Sequence, residues 1–162
     1  MKKLLPIFLS FCLLIGFSSC ASASYREDLS CKAITDRLCD TLSVAGGYEY
    51  FSDDHLRFYF SDTDDYEDCS LVYSAPSEDI NEFGVFLADD KEDAKELQDM
   101  CRSYLSSFDE EQRAFIASYA PQQITKLDHA EVRVLGRYVI YTILSPEDTR
   151  IAFETVEQML KK

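Results

Sequence analysis

Residues 81–88 read Asn81-Glu82-Phe83-Gly84-Val85-Phe86-Leu87-Ala88 and have the length and composition of a β-strand. The charged residues Asp90-Lys91-Glu92-Asp93 then open an amphipathic helix. The same order returns 55 residues later, where the strand pattern of 138–141 is followed by Ser145-Pro146-Glu147-Asp148. Each half therefore runs strand, strand, helix, and we predict an α+β fold with a four-stranded, mainly antiparallel sheet. The predicted order is α-ββ-α(α)-ββ-α, with helices packed on one face of the sheet and the other face partly open.

The remaining predicted elements lie on either side of this repeat. A first helix is predicted over residues 24–45, because apolar residues recur at spacings of three and four along one face, and Gly46-Gly47 ends it. Residues 48–68 contain interspersed aromatic and acidic residues, and the segment is predicted to be irregular, with one helical turn near 55–59. Turn residues separate the other elements, which are strands at 69–75, 81–88, 130–135 and 137–144 and helices at 90–108, 109–120 and from 145 onward.

The first 23 residues have the pattern of an export signal. Two lysines precede an apolar run of about 14 residues, shorter than the roughly 20 that a bilayer-spanning helix needs. Small residues follow and end at Cys20, which we interpret as the lipidated first residue of a mature bacterial lipoprotein. The alternative is ordinary cleavage after Ala23, in Ala21-Ser22-Ala23, with release of the protein without lipid.

These interpretations give the predicted organisation of the chain. Residues 1–19 form the signal peptide, residues 20–28 the lipidated cysteine and a short tether, and residues 29–162 a single α+β domain. The predicted location is the extracytoplasmic face of the cell membrane, where a lipid anchor holds the domain. Secretion is the alternative location.

The composition excludes several classes of partner. The chain carries 16 basic and 30 acidic residues, a formal charge of −14, so no nucleic-acid partner is expected. Anionic headgroups should repel the domain as well, which leaves the lipid anchor as its contact with the membrane. With 46% hydrophobic and 13% aromatic residues, the acidic chain is expected to fold.

Cys12 is lost with the leader and Cys20 is either acylated or removed, which leaves four cysteines. An even number in an oxidising compartment permits two disulfides. Cys31 and Cys39 lie about 12 Å apart along one predicted helix, which is too far for them to pair with each other. Each is therefore predicted to pair with Cys69 or Cys101. The alternative is that one or more are free, buried thiols. No C-x-x-C pair is present, and no metal site is predicted.

The sequence contains two histidines, His55 and His129, and neither belongs to a recognisable catalytic motif. It contains no G-x-S-x-G elbow and no H-E-x-x-H zinc motif. The acidic segment 62–68 invites comparison with a calcium loop, but it lacks the EF-hand glycine and has Tyr73 at the twelfth position. A solvated acidic loop is therefore favoured. We predict neither an enzymatic activity nor a cofactor.

Several segments together resemble a known family. They are Ser70-Leu71-Val72-Tyr73-Ser74-Ala75, residues 81–90 with the charged helix after them, Ala130-Glu131-Val132-Arg133-Val134 and Arg137-Tyr138-Val139-Ile140-Tyr141. With the leader, the first helix and the closing helix, this order resembles the domain of unknown function 4358 family of small bacterial, mostly Gram-positive, lipoproteins, over roughly residues 29–160. The resemblance implies a lipid-anchored protein of the cell envelope and brings no activity with it.

The predicted function is that of a non-enzymatic binding or accessory module of the cell envelope, with a protein or another envelope component as its partner. The predicted contact surface combines the open sheet face with the aromatic segment 48–60. Tyr138 and Tyr141 alternate along one strand, so one of them is expected on the open face. The alternative function is a small envelope hydrolase that uses His55 or His129.

Overall fold

A single antiparallel sheet organises the computed structural model, which describes residues 24–42, 44–60 and 66–162. Its strands are β1 (Tyr48–Tyr50), β2 (Tyr66–Ser74), β3 (Glu82–Ala88), β4 (Glu131–Leu135) and β5 (Tyr138–Ile143). The strand order is β1-β2-β3-β5-β4, and every neighbouring pair is antiparallel. The predicted α+β class and antiparallel sheet are therefore confirmed. The predicted number of strands is wrong, because β1 is too short to show an alternating pattern in the sequence.

Part of the sequence prediction falls outside the described residues. The lipidation site Cys20 and the alternative cleavage site after Ala23 both lie before residue 24. Residues 62–65 of the acidic segment 62–68, which was compared with a calcium loop, also lie outside the described ranges. These interpretations remain predictions.

Helices pack around the sheet, and three of them begin where the sequence predicts. The described helices are α1 (Cys31–Thr41), α2 (Asp53–Tyr59), α3 (Lys91–Ser106), α4 (Glu110–Tyr119), α5 (Ile124–Asp128) and α6 (Pro146–Leu160). Asp90 accepts hydrogen bonds from the first turn of α3, Asp109 and Gln112 form a capping box on α4, and Ser145 caps α6. None of the helices within the described ranges has the length and apolar character needed to cross a membrane.

The helices cover both faces of the sheet, so the prediction of helices on one face is wrong. α1 and α6 pack against one face, which Phe83 and Val85 help to form, whereas α3 packs against the opposite face, which contains Phe86. The reason lies in β3 and β5, which are buried at almost every position and apolar on both sides. Tyr138 and Tyr141 point to opposite faces and are both fully buried, because each face has its own helical layer.

The first helix is also shorter than predicted. Ser30 caps α1, and the described residues before it are not helical. Tyr25 forms an antiparallel bridge with Lys161, and the backbone N–H of Arg26 donates a 2.8 Å hydrogen bond to the carbonyl of Leu160. The start of the described chain therefore lies beside the C-terminal end of α6.

The four cysteines predicted to form disulfides are free thiols, which corrects that prediction. Cys31 and Cys39 belong to the core between the sheet and α1 and α6. Cys69 and Cys101 belong to the core under α3, on the opposite face. The sheet therefore separates the predicted partners. The distance along the first helix excludes a Cys31–Cys39 pair but does not indicate on which side of the sheet each thiol lies.

Candidate functional site

A cavity of about 320 Å³ opens at the end of the sheet where β3 begins. Its floor consists of three residues that pair side by side across adjacent strands, namely Tyr73 of β2, Glu82 of β3 and Ile143 of β5. Paired residues of neighbouring strands point to the same side of a sheet, here the side covered by α3. Cavities that bind small molecules are about 300–1,000 Å³, so this one has the size of a site for a small ligand.

Aromatic side chains form a continuous wall beside this floor. The ring centroid of Phe51 lies 5.6 Å from that of Tyr73 and 6.2 Å from that of Tyr59. Tyr104 continues the series at 5.5 Å from Tyr59 and 5.7 Å from Phe108. Adjacent rings are tilted by 56–74°, close to the edge-to-face arrangement that aromatic pairs prefer. We call these five rings the aromatic wall.

The rim of the cavity combines lightly packed helices with one largely buried ion pair. α2 and α4 line the cavity through Tyr59 and Gln112, but neither helix contains a buried residue. At the same rim, Lys126 of α5 lies 2.5 Å from Asp79 in the β2–β3 loop, and each side chain is only 15% exposed. Segments with few buried contacts open more easily than the core. We therefore expect α2 and α4 to open before the sheet does.

Glu82 is the acidic side chain at the floor of the cavity. The Tyr141 hydroxyl donates a 2.7 Å hydrogen bond to Glu82 Oε1, and the Tyr104 hydroxyl also interacts with the carboxylate. Burial raises the pKa of Glu82 to about 7, although both hydroxyls favour the ionised form and partly oppose this increase. Burial and the nearby Glu82 raise the pKa of both tyrosines, so their hydroxyls stay protonated as donors.

Gly84 allows Tyr141 to reach this carboxylate. Gly84 and Tyr141 are directly paired across β3 and β5, and Glu82 lies two residues from Gly84 on the same face. A Cβ atom on Gly84 would lie 2.3 Å from Cε1 of Tyr141 and 2.9 Å from Cγ of Leu71. The Tyr141 ring therefore lies across β3 above the glycine, and a side chain at this position would displace it.

Comparison with protein families identifies the chain. The family model described as Domain of unknown function (DUF4358) matches residues 49–144, more than half of the sequence. The chain belongs to the DUF4358 family. This confirms the resemblance found in the strand and helix pattern, although the match is narrower than the predicted 29–160. No curated protein matches the DUF4358 chain, and no solved structure matches it.

The family match contains the whole described lining of the cavity. The lining residues run from Phe51 to Ile143, within the matched range 49–144. α1 and α6, which cover the other face of the sheet, lie outside that range. The cavity is therefore a property of the DUF4358 region rather than of the flanking helices.

One of the two predicted histidines lies at the cavity of the DUF4358 domain. The His55 ring of α2 has aromatic neighbours, with centroids 6.0 Å from Phe51 and 6.3 Å from Tyr73. No hydrogen bond joins the ring to a serine or a carboxylate among the described residues. His129 is exposed after the last turn of α5 and is not part of the lining. Within the described ranges, no group of three acidic, histidine or cysteine side chains is arranged to hold a metal ion.

Sequence reasoning identified part of this site and missed its central residue. The predicted aromatic contact segment 48–60 does contribute Phe51, His55 and Tyr59 to the DUF4358 cavity. From the sequence alone, Glu82 is only a residue of the predicted strand 81–88. The available signal was a single carboxylate at the start of an otherwise apolar strand, because even a partly buried charge requires compensation.

Proposed function

We propose that the DUF4358 domain is a non-enzymatic module that binds a small ligand at the extracytoplasmic face of the cell membrane. The cavity floored by Glu82 carries this proposal. It combines a mostly apolar, aromatic lining with one partly compensated carboxylate, which is the usual composition of a ligand site. A charged group at the base of an aromatic cavity fixes the orientation of a ligand, while the rings supply most of the contact area.

The path of the chain supports an anchor remote from this cavity. Tyr25 packs beside Gly136, in the turn between β4 and β5, and the cavity lies at the opposite end of β3. The seven residues of β3 separate the two ends by about 20 Å. A lipid on Cys20, four residues before the described chain begins, would therefore hold the domain by the end away from the cavity and leave the binding site facing outward.

The anchor is tested by metabolic labelling with radioactive palmitate. We expect label in the wild-type protein and none in the Cys20→Ala variant. Unlabelled wild-type protein that appears in the medium would support cleavage after Ala23 and secretion instead. This result concerns only the anchor and leaves the cavity proposal intact.

The cavity is tested with tryptophan reporters, because the chain contains no tryptophan of its own. Tyr59→Trp places a fluorophore in the aromatic wall, and Tyr119→Trp places one on an exposed α4 side chain outside the cavity. We expect some members of a panel of small amines, alcohols, carboxylates and sugars to change the emission of the first reporter and not the second. If no member of the panel does so, the proposed binding site is wrong.

A small envelope hydrolase remains the second candidate function, because His55 and Glu82 line the same cavity. The two candidates differ in what His55→Gln changes. For a binding module, neither the wild type nor the variant turns over ester or amide substrates. For a hydrolase, the substitution abolishes turnover of these substrates while leaving the fold intact.

A further inference from the structure

We propose that the ligand of this cavity is an organic ammonium ion, held by the Glu82 carboxylate and the aromatic wall. The inference rests on the proposed function and names its ligand class. Three features support it. They are the charges of the lining, the aromatic side chains beside Glu82, and the free energy required to keep a partly buried carboxylate ionised without a cation.

The charge balance of the lining favours a cation. Two carboxylates, Glu82 and Asp79, belong to the lining, and the described lining contains no lysine or arginine. Asp79 is already paired with Lys126, just behind the rim. Among the described residues, Glu82 has two tyrosine hydroxyls as partners and no cation, so hydroxyl dipoles alone stabilise its negative charge. A ligand with a positive charge would supply the missing counterion.

The aromatic wall provides the second half of an ammonium site. Cations are attracted to the faces of phenylalanine and tyrosine rings when they lie within about 6 Å of the centroid, and aromatic cages recognise ammonium groups in this way. The five rings form a continuous series from Tyr73 through Tyr59 to Phe108, each tilted against its neighbour. All five rings line the same cavity as Glu82, so a cation paired with the carboxylate would lie among aromatic side chains.

The alternatives fit this lining less well. An anion would face Glu82 without a basic residue among the described lining residues to bind it. A neutral ligand would fill the same volume but would leave the partly buried carboxylate, when ionised, without a counterion. The cavity of about 320 Å³ has room for about ten water molecules, which suits an ammonium head group with a short chain rather than a large molecule.

Ammonium binding should be linked to the ionisation of Glu82. Burial raises the pKa of this carboxyl to about 7, and a bound cation favours the ionised form. The groups that face it are Tyr104 and Tyr141, which stay protonated, with Tyr73, His55 and Asp79 on the remaining sides of the cavity. We therefore expect affinity for a cation to rise about tenfold between about pH 6 and about pH 8.

The test compares choline with 3,3-dimethylbutan-1-ol, a neutral molecule of nearly the same shape. Binding is measured by saturation-transfer NMR on the full chain in an uncharged maltoside detergent, with protein-free micelles as the blank. We expect choline to bind at least about tenfold more tightly than the alcohol, since their difference is one buried charge. We expect Glu82→Gln to remove that preference.

A matched pair of variants locates the binding. Tyr59→Leu removes a ring from the aromatic wall, and Tyr119→Leu removes an exposed ring that does not line the cavity. Both side chains are on the surface, so both variants are expected to fold. Tyr59→Leu should weaken choline binding severalfold, and Tyr119→Leu should leave it unchanged.

The outcomes separate the ligand class from the proposed function. Equal binding of choline and the alcohol, or a preference that survives Glu82→Gln, would overturn the assignment of an ammonium ligand while leaving a binding cavity. Choline binding that Tyr59→Leu does not weaken would overturn the site. If neither probe binds and no panel member changes the Tyr59→Trp reporter, the proposed function fails together with the ligand class.

Discussion

Glu82→Gln should make the domain more stable at alkaline pH. The pKa of Glu82 rises from its ordinary value of 4.5 to about 7 in the folded protein because of burial. Between these values the folded state holds a proton that the unfolded state has released. Stability therefore falls as pH rises through this window and stays low above pH 7. A shift of this size corresponds to about 3 kcal/mol of unfolding free energy.

Glutamine removes the titration and keeps the shape of the side chain. Its amide oxygen can still accept the hydrogen bond from Tyr141, which donates to Glu82 Oε1 at 2.7 Å. We expect the variant and the wild type to have similar unfolding free energies near about pH 5, where Glu82 is protonated in the folded state. At about pH 8 the variant should be more stable by up to about 3 kcal/mol.

The assay is urea denaturation followed by circular dichroism, repeated from about pH 5 to about pH 8. The matched control is Glu49→Gln, because Glu49 is an exposed carboxylate that accepts a 2.8 Å hydrogen bond from the hydroxyl of Tyr73. An exposed substitution of this kind should change stability by less than about 0.5 kcal/mol. The reasoning is refuted if the Glu82→Gln difference is the same at both pH values, or if the variant is less stable at pH 8.

Three further outcomes follow from particular contacts. Gly84→Ala should lower the unfolding free energy by about 1–3 kcal/mol in urea denaturation, because its Cβ would overlap the Tyr141 ring; a neutral effect would contradict the packing. Lys126→Met leaves a largely buried carboxylate without its cation and should cost about 2 kcal/mol, whereas Lys32→Met in an exposed pair should cost less than about 1 kcal/mol. Equal losses would argue against that ion pair as a support of the cavity rim. Thiol titration of the unfolded mature protein should count four free cysteines, and slow alkylation before unfolding is expected because burial raises the pKa of Cys39 to about 11 and of Cys101 to about 12. A count below four would show that disulfides form.

The sequence predicts an element most accurately where the residues next to its end specify that end. Asp90, Asp109 and Ser145 each cap a helix, and a cap is an interaction with the next three residues of the chain. For the same reason β3 was located to within one residue. α5 and β1 were missed because a helix of five residues and a strand of three carry too little periodicity to recognise.

The layer arrangement could have been predicted, and the cavity could not. β3 and β5 have apolar side chains at successive positions, which is typical of strands buried on both faces. The cavity depends instead on contacts across the chain, such as Tyr141 with Glu82, 59 residues apart. No local pattern specifies that a tyrosine on one strand crosses a glycine on the next. The chemistry of Glu82 therefore becomes visible only when those two strands are paired.

The junction between the start of the described chain and the end of α6 has a mechanical consequence. If Cys20 carries a lipid, any force between the membrane and the domain enters through residues 24–30. That segment is fastened by the Arg26–Leu160 backbone hydrogen bond, by the Arg137–Glu27 ion pair at 2.9 Å, and by Tyr138, whose hydroxyl bonds the backbone of Leu29. A pulling force would act on these interactions first and would break them one after another. The cavity at the far end of the sheet would keep its shape while the tether yields.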